Sequence, residues 1–103
     1  MNLYQILLPR EAYNTVGKSD LHIATSKWKN KAVQLAGGFT QYNAVQGMWR
    51  NGPELIGDLM TPFTVACEPH IWRTLVDYAF WCFPNEQAIF HAQLGTATIE
   101  YRP

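Results

Sequence analysis

The sequence has little charge, little cysteine and no long apolar run, and each shortage closes off a class of function. Only 16% of its 103 residues are charged, where about a quarter is usual. Eight basic and eight acidic residues cancel, so there is no cationic surplus to neutralise phosphates. The one basic cluster, Lys27, Lys29 and Lys31, divides between two sides of a helix. Nucleic acid is not an expected partner. No apolar stretch is long enough to span a bilayer. The apolar run at residues 3–8 is too short for a secretory leader and is closed by Pro9. A cytoplasmic protein without membrane segments is expected. The two cysteines, Cys67 and Cys82, make no CxxC pair and share no zinc spacing with His22, His70 or His91. They read as small buried hydrophobes, and neither a metal nor a cofactor is expected. Gly17-Lys18-Ser19 matches the end of a P-loop, but Ala12 stands where its first glycine belongs. Ser19 and Ser26 lack the glycine elbow of a hydrolase. No catalytic residue is identified.

What is present is apolar and aromatic. Apolar residues make up 48% and aromatic residues 14%. One domain, 1–103, is expected. So few charges leave an aromatic surface that calls for a partner, and a homo-oligomer, dimer or trimer, is the expectation.

The pattern places a strand at 3–8 and a loop over 10–20, with Ser19 or Asp20 as a helix cap. A helix follows at 21–36, where Leu21, Ala24, Trp28, Ala32 and Leu35 recur at spacings of three and four. Gly37 and Gly38 stop it. A second strand runs over 39–45 and a glycine-rich turn region over 47–57. A third strand runs over 59–67, with Pro62 marking an edge or a bulge. A second helix covers 69–83, opened by Pro69 and striped by Ile71, Leu75, Tyr78, Ala79 and Cys82, with Trp72, Val76 and Phe80 widening the stripe. The last strand covers 88–94, with a continuation over 96–101. The order β-α-β-β-α-β predicts an α+β, ferredoxin-like domain. Its four-stranded antiparallel sheet carries both helices on one face, and the open sheet face is left for another subunit.

The hairpin region carries the candidate ligand-binding residues: Tyr42, Trp49, Glu54 and Asp58. The aromatic rings offer stacking surfaces for a flat ring or a cation. The carboxylates accept hydrogen bonds from, or pair with, a cationic group. A small ligand held there at a subunit boundary, or a host protein, is the expected partner. Trp72, Trp81 and Phe83 are the anchors if the protein instead inhibits a host enzyme.

A helix carrying Trp28 is followed by Gly37-Gly38-Phe39-Thr40, Gly47-Met48-Trp49, an acid before Met60, Pro62, a second helix and Gln87-Ala88-Ile89-Phe90. In this, over about residues 22–99, the chain resembles a family of small uncharacterised proteins of phages and bacteria. It departs from that family where Gly57 and Leu59 flank Asp58 without a basic neighbour. A weaker likeness, in element order, in the aromatic-then-acid run and in the Gln before the last strand, is to phage-encoded S-adenosylmethionine lyases. The first resemblance implies a phage or mobile-element accessory protein. The second implies cleavage of S-adenosylmethionine between subunits, with Asp58 or Glu54 orienting the ligand and Tyr42 or Trp49 packing its ring.

Overall fold

The computed structural model describes residues 1–11 and 18–103, and side chains outside 11–20. Of the expected loop over 10–20, Arg10 and Glu11 belong to a strand and 18–20 to a helix, so Ser19 and Asp20 stand within the helix and do not cap it; residues 12–17 lie outside the described residues. The elements run β1 (Asn2–Glu11), α1 (Lys18–Ala36), β2 (Thr40–Gln41), β3 (Val45–Asn51), β4 (Glu54–Cys67), α2 (Pro69–Cys82) and β5 (His91–Thr96). One antiparallel sheet is ordered β2-β4-β1-β5, and β3 pairs with β4 on the same side as β2. This is the expected ferredoxin-like α+β arrangement, with the second of its four strands divided into β2 and β3.

Alternation decides which face the helices cover. Tyr4, Ile6 and Leu8 of β1 face the same way as Phe63, Val65 and Cys67 of β4, and all are buried. Trp28 and Ala32 of α1, and Trp72, Leu75, Val76 and Ala79 of α2, close over them. Trp28 is fully buried, its indole N–H donates to the Leu75 carbonyl at 3.0 Å, and its ring lies 5.2 Å from that of Phe63. This one side chain ties α1 to α2 and to the sheet. The lysines of α1 spread as their spacing predicts. Lys27 lies over Trp81 and Lys31 over Tyr78, while Lys29 reaches Phe39.

The expected turn region over 47–57 is mostly strand. Gly47 sits inside β3 and Gly57 inside β4, and only Gly52-Pro53 forms the turn. Gly52 has φ +62°, the backbone that a two-residue hairpin turn needs at its first central position. Gly47 and Gly57 are required for space instead. A Cβ on Gly47 would strike the Met60 methyl and come within 3.1 Å of the Trp49 ring, and one on Gly57 would lie 3.2 Å from the Met48 sulfur. Pro62 lies inside the sheet, opposite Leu7 of β1. Its other side faces the break between β2 and β3, where Tyr42 N–H donates to the Pro62 carbonyl at 3.0 Å. The missing proline N–H thus falls where no strand partner sits. The last strand runs from His91 to Thr96 rather than from 88 to 94, its register with β1 shifts between Leu3 and Tyr4, and the rest of the expected continuation, 97–101, is not strand.

Candidate functional site

Pairing between β1 and β4 ends at Leu59. Among the described residues, 54–58 pair with β3 alone, and the β3–β4 hairpin extends beyond the β1–β4 pairing as a two-stranded arm, about 13 Å from Asp58 to Glu54 at 3.3 Å per residue. The molecule measures 54 × 26 × 24 Å, and its radius of gyration of 14.4 Å exceeds the ~13 Å of a compact chain this size. The arm is poorly buried on its own chain: Met48 is 58% and Leu55 65% exposed.

Opposed residues share a face, so Val45, Gly47 and Trp49 lie with Met60, Asp58, Ile56 and Glu54. This face continues the open face of the sheet, through Met60 to Pro62 and Thr64, and across β1 to Pro9, Leu7, Gln5 and Leu3. Trp49 bends back over Gly47 and Met60 towards the segment before β5, its ring centroid 6.5 Å from that of Phe90. Phe90 is fixed by its backbone, which accepts the Leu7 N–H at 3.1 Å.

Asp58 is half-buried at the root of the arm. Its charge is felt by Glu86, which follows α2 and is also half-buried. Burial first, and the like charge of Asp58 second, push the Glu86 carboxyl above its ordinary 4.5. Glu86 lines a shallow cavity with Leu21, Ala24, Phe83 and Pro84, and its N–H donates to the Phe83 carbonyl at 3.0 Å. The arm root therefore carries Asp58 with the two aromatic rings Trp49 and Phe90, and Glu86 lies within reach of the Asp58 charge.

Of the four residues expected to form a site, the structure brings Trp49 and Asp58 to this place. Glu54 is at the arm tip, four strand residues and about 13 Å from Asp58. Tyr42 lies at the β2–β3 break, its hydroxyl 3.4 Å from that of Thr64. Phe90 beside Trp49, and Glu86 within reach of the Asp58 charge, carry no local signal, since only the return of the chain after α2 brings them there.

A carboxyl raised in this way makes the folded state less stable once it ionises. Its contribution is fully present below pH 4.5 and is lost as the pH rises through the higher folded value. We expect Glu86→Gln to melt above the wild type at pH 7 and level with it near pH 4. Thermal melts at the two pH values check this, and equal melting at pH 7 would remove the strain from Glu86.

The other candidate chemistry is absent or blunted. Trp72 and Phe83 are core residues, 4% and 3% exposed, so they cannot anchor an inhibited enzyme. Trp72 instead stacks on Tyr4 at 4.9 Å and donates its indole N–H to His91 Nδ1 at 3.2 Å. Burial pushes the Cys67 and Cys82 thiols up, which keeps them protonated and poor nucleophiles. Among the described residues no three His, Cys, Asp or Glu side chains converge on a metal position, and no helix is long and apolar enough to cross a membrane.

Element order, sheet order and the one-sided helices define the class: an α+β, ferredoxin-like protein with an extended β3–β4 arm. No family model matches the chain, and no curated protein matches it in sequence. Solved structures do. The divalent cation tolerance protein CutA1 of Thermus thermophilus superposes with a TM-score of 0.66 at 13% identity, over 96% of this chain and 86% of its own. CutA1 of Oryza sativa gives 0.63 at 7% identity, over 96% and 82%. The periplasmic divalent cation tolerance protein CutA of Archaeoglobus fulgidus gives 0.61 at 10%, over 99% and 86%. At such identities the likeness establishes the fold. It also corrects the resemblances drawn from short motifs. The neighbours are divalent cation tolerance proteins, with no link to phage accessory proteins, to S-adenosylmethionine lyases or to enzyme inhibitors. Those motifs mark turns and packing positions of this fold, such as Gly47 under Trp49.

Proposed function

We propose that the protein acts in the handling of divalent cations, as a homo-oligomer whose copies meet through the open sheet face and the arm. The reading is supported by Asp58 and Glu86, two half-buried acids whose charges interact, in a fold whose solved neighbours are named for divalent cation tolerance. A closed centre with three or four side-chain ligands does not fit the described residues of one subunit. Two half-buried carboxylates do fit a hydrated hard cation such as magnesium, which keeps several waters and takes one or two carboxylates. Asp58 and Glu86 would hold it, and Trp49 and Phe90 would wall one side. The cation also relieves the repulsion between the two acids.

Self-association is supported by the apolar open face, where Val45, Trp49 and Phe90 are each more than a third exposed. The two free thiols, Cys67 and Cys82, suit the reducing cytoplasm.

Magnesium or manganese titrated at pH 7 should raise the melting temperature. Ligand at tenfold its dissociation constant adds about 1.4 kcal/mol. Asp58→Asn and Glu86→Gln should each abolish the response. A wild-type response in both variants would place cation binding elsewhere, and a flat wild-type titration would overturn the reading.

A further inference from the structure

The seam between α1 and α2 carries a patch that the arm root does not use. Tyr78 and Trp81 lie one turn apart on α2, and their rings stack at 5.3 Å with 17° between their planes. Two lysines of α1 reach across to them. Lys27 Nζ is 5.7 Å from the centre of the Trp81 ring, and Lys31 Nζ is 5.0 Å from that of Tyr78. The two lysines are themselves one turn apart, their Cβ atoms about 6 Å from each other. Each ring face attracts its ammonium, so both cations are held in place rather than left to swing in water. Neither has an anion: among the described residues no ion pair includes Lys27 or Lys31, and Asp77, next to Tyr78 in the chain, is held by Arg73 through hydrogen bonds at 2.9 and 3.2 Å. Trp81 is 65% exposed, the most open of the four tryptophans, and Phe80 beside it is exposed as well.

We propose that this seam docks an acidic helical segment of another protein, with carboxylates one turn apart on Lys27 and Lys31 and an apolar side chain against Trp81. Charge complementarity selects the occupant. Two fixed cations without anions of their own, spaced as one helical turn spaces them, match two acids with the same spacing on a partner helix. Trp and Tyr are the residue types that anchor protein contacts. A small molecule suits the patch less. Its site would be concave, whereas these four side chains form an open row, and none of them lines the cavity beside Glu86. A lipid surface or a nucleic acid needs a broader field of cations, and the third lysine of the cluster, Lys29, reaches Phe39 on the other side of α1. The seam belongs to the helix layer, across the sheet from its open face. It therefore stays accessible when copies meet through that face, and the inference does not rest on self-association or on cation binding.

The test uses the full chain and a fluorescently labelled helical peptide with Glu residues one turn apart and Leu between them. A second peptide carries Lys in place of every Glu. Anisotropy reads binding at low salt, where such pairs are least screened. The acidic peptide should bind with a dissociation constant below about 100 μM. Lys31→Glu and Trp81→Ala should each weaken it by about tenfold or more. Lys29→Glu, which changes net charge equally on the other side of α1, should weaken it by less than about twofold. Circular dichroism checks that each variant is folded, and Lys27→Gln, a milder change expected to weaken binding in the same direction, replaces Lys31→Glu if that chain does not fold. No binding at about 1 mM peptide overturns the proposal. Equal weakening by Lys29→Glu and Lys31→Glu overturns the seam in favour of attraction by net charge alone. Equal binding of the Lys peptide overturns the acidic partner. Binding to phosphatidylserine vesicles and not to the peptide overturns the choice of a protein segment.

Discussion

Trp28→Ala should lower stability by about 3–5 kcal/mol, the cost of emptying a large buried aromatic site, out of the 5–15 kcal/mol expected of a whole domain. Trp28 is fully buried and joins three elements of the fold at once, its own helix α1, the Leu75 carbonyl on α2 and the Phe63 ring on β4. No neighbour can collapse into the space without shifting a helix. In urea the midpoint should fall by about 2 M, leaving a protein unfolded in part at physiological temperature. Trp28→Phe separates the two contributions. It retains most of the packing and loses the hydrogen bond to Leu75, for which about 1 kcal/mol is expected. A shift below 1 kcal/mol for Trp28→Ala would show that the two helices are held together elsewhere.

Leu7→Glu should leave the fold of one chain intact and take the assembly apart. Leu7 lies on the open face, half-buried, opposite Pro62, and its N–H bond to the Phe90 carbonyl is made by the backbone and survives the change. In a single chain the new carboxylate stands in water. Between two subunits it would be an unpaired buried charge, costing several kcal/mol. Each 1.4 kcal/mol is a factor of ten in the dissociation constant, so a weakening of about a hundredfold or more is expected. Light scattering should show smaller species, with an unchanged circular dichroism spectrum. An undiminished mass would mean that the copies do not meet on this face.

The two substitutions probe surfaces that differed in how far they could be read in advance. The buried stripe of α1 was legible because Leu21, Ala24, Trp28 and Ala32 repeat at the helical period and carry their burial in their spacing. The alternation of Phe63, Val65 and Cys67 against Met60, Pro62 and Thr64 fixed the two faces of β4 in the same way. Glycine misled. Gly47 and Gly57 look like turn residues, yet both lie inside strands, where they make room for Trp49 and Met48. A glycine needed for φ and one needed for space are identical in sequence. The candidate site was half legible. Trp49 and Asp58 stand together because they share a strand face. Glu54 shares that face too but lies beyond reach along the arm, and Glu86 arrives from a separate part of the chain.

The sequence by itself determined the alternation of strands and helices, the buried face of α1 and hence the ferredoxin-like class, because each follows from periodicity within a short window, whereas Phe80, read into the stripe of α2, is exposed. Only the tertiary structure decided that the glycine-rich region is a strand pair reaching beyond the described part of β1, that Pro62 falls at a break between β2 and β3, and that Glu86 comes within reach of the Asp58 charge. These are relations between residues far apart in the chain. They arise when β4 outruns β1 and when the segment after α2 returns to the sheet, and no local pattern of residues encodes either event.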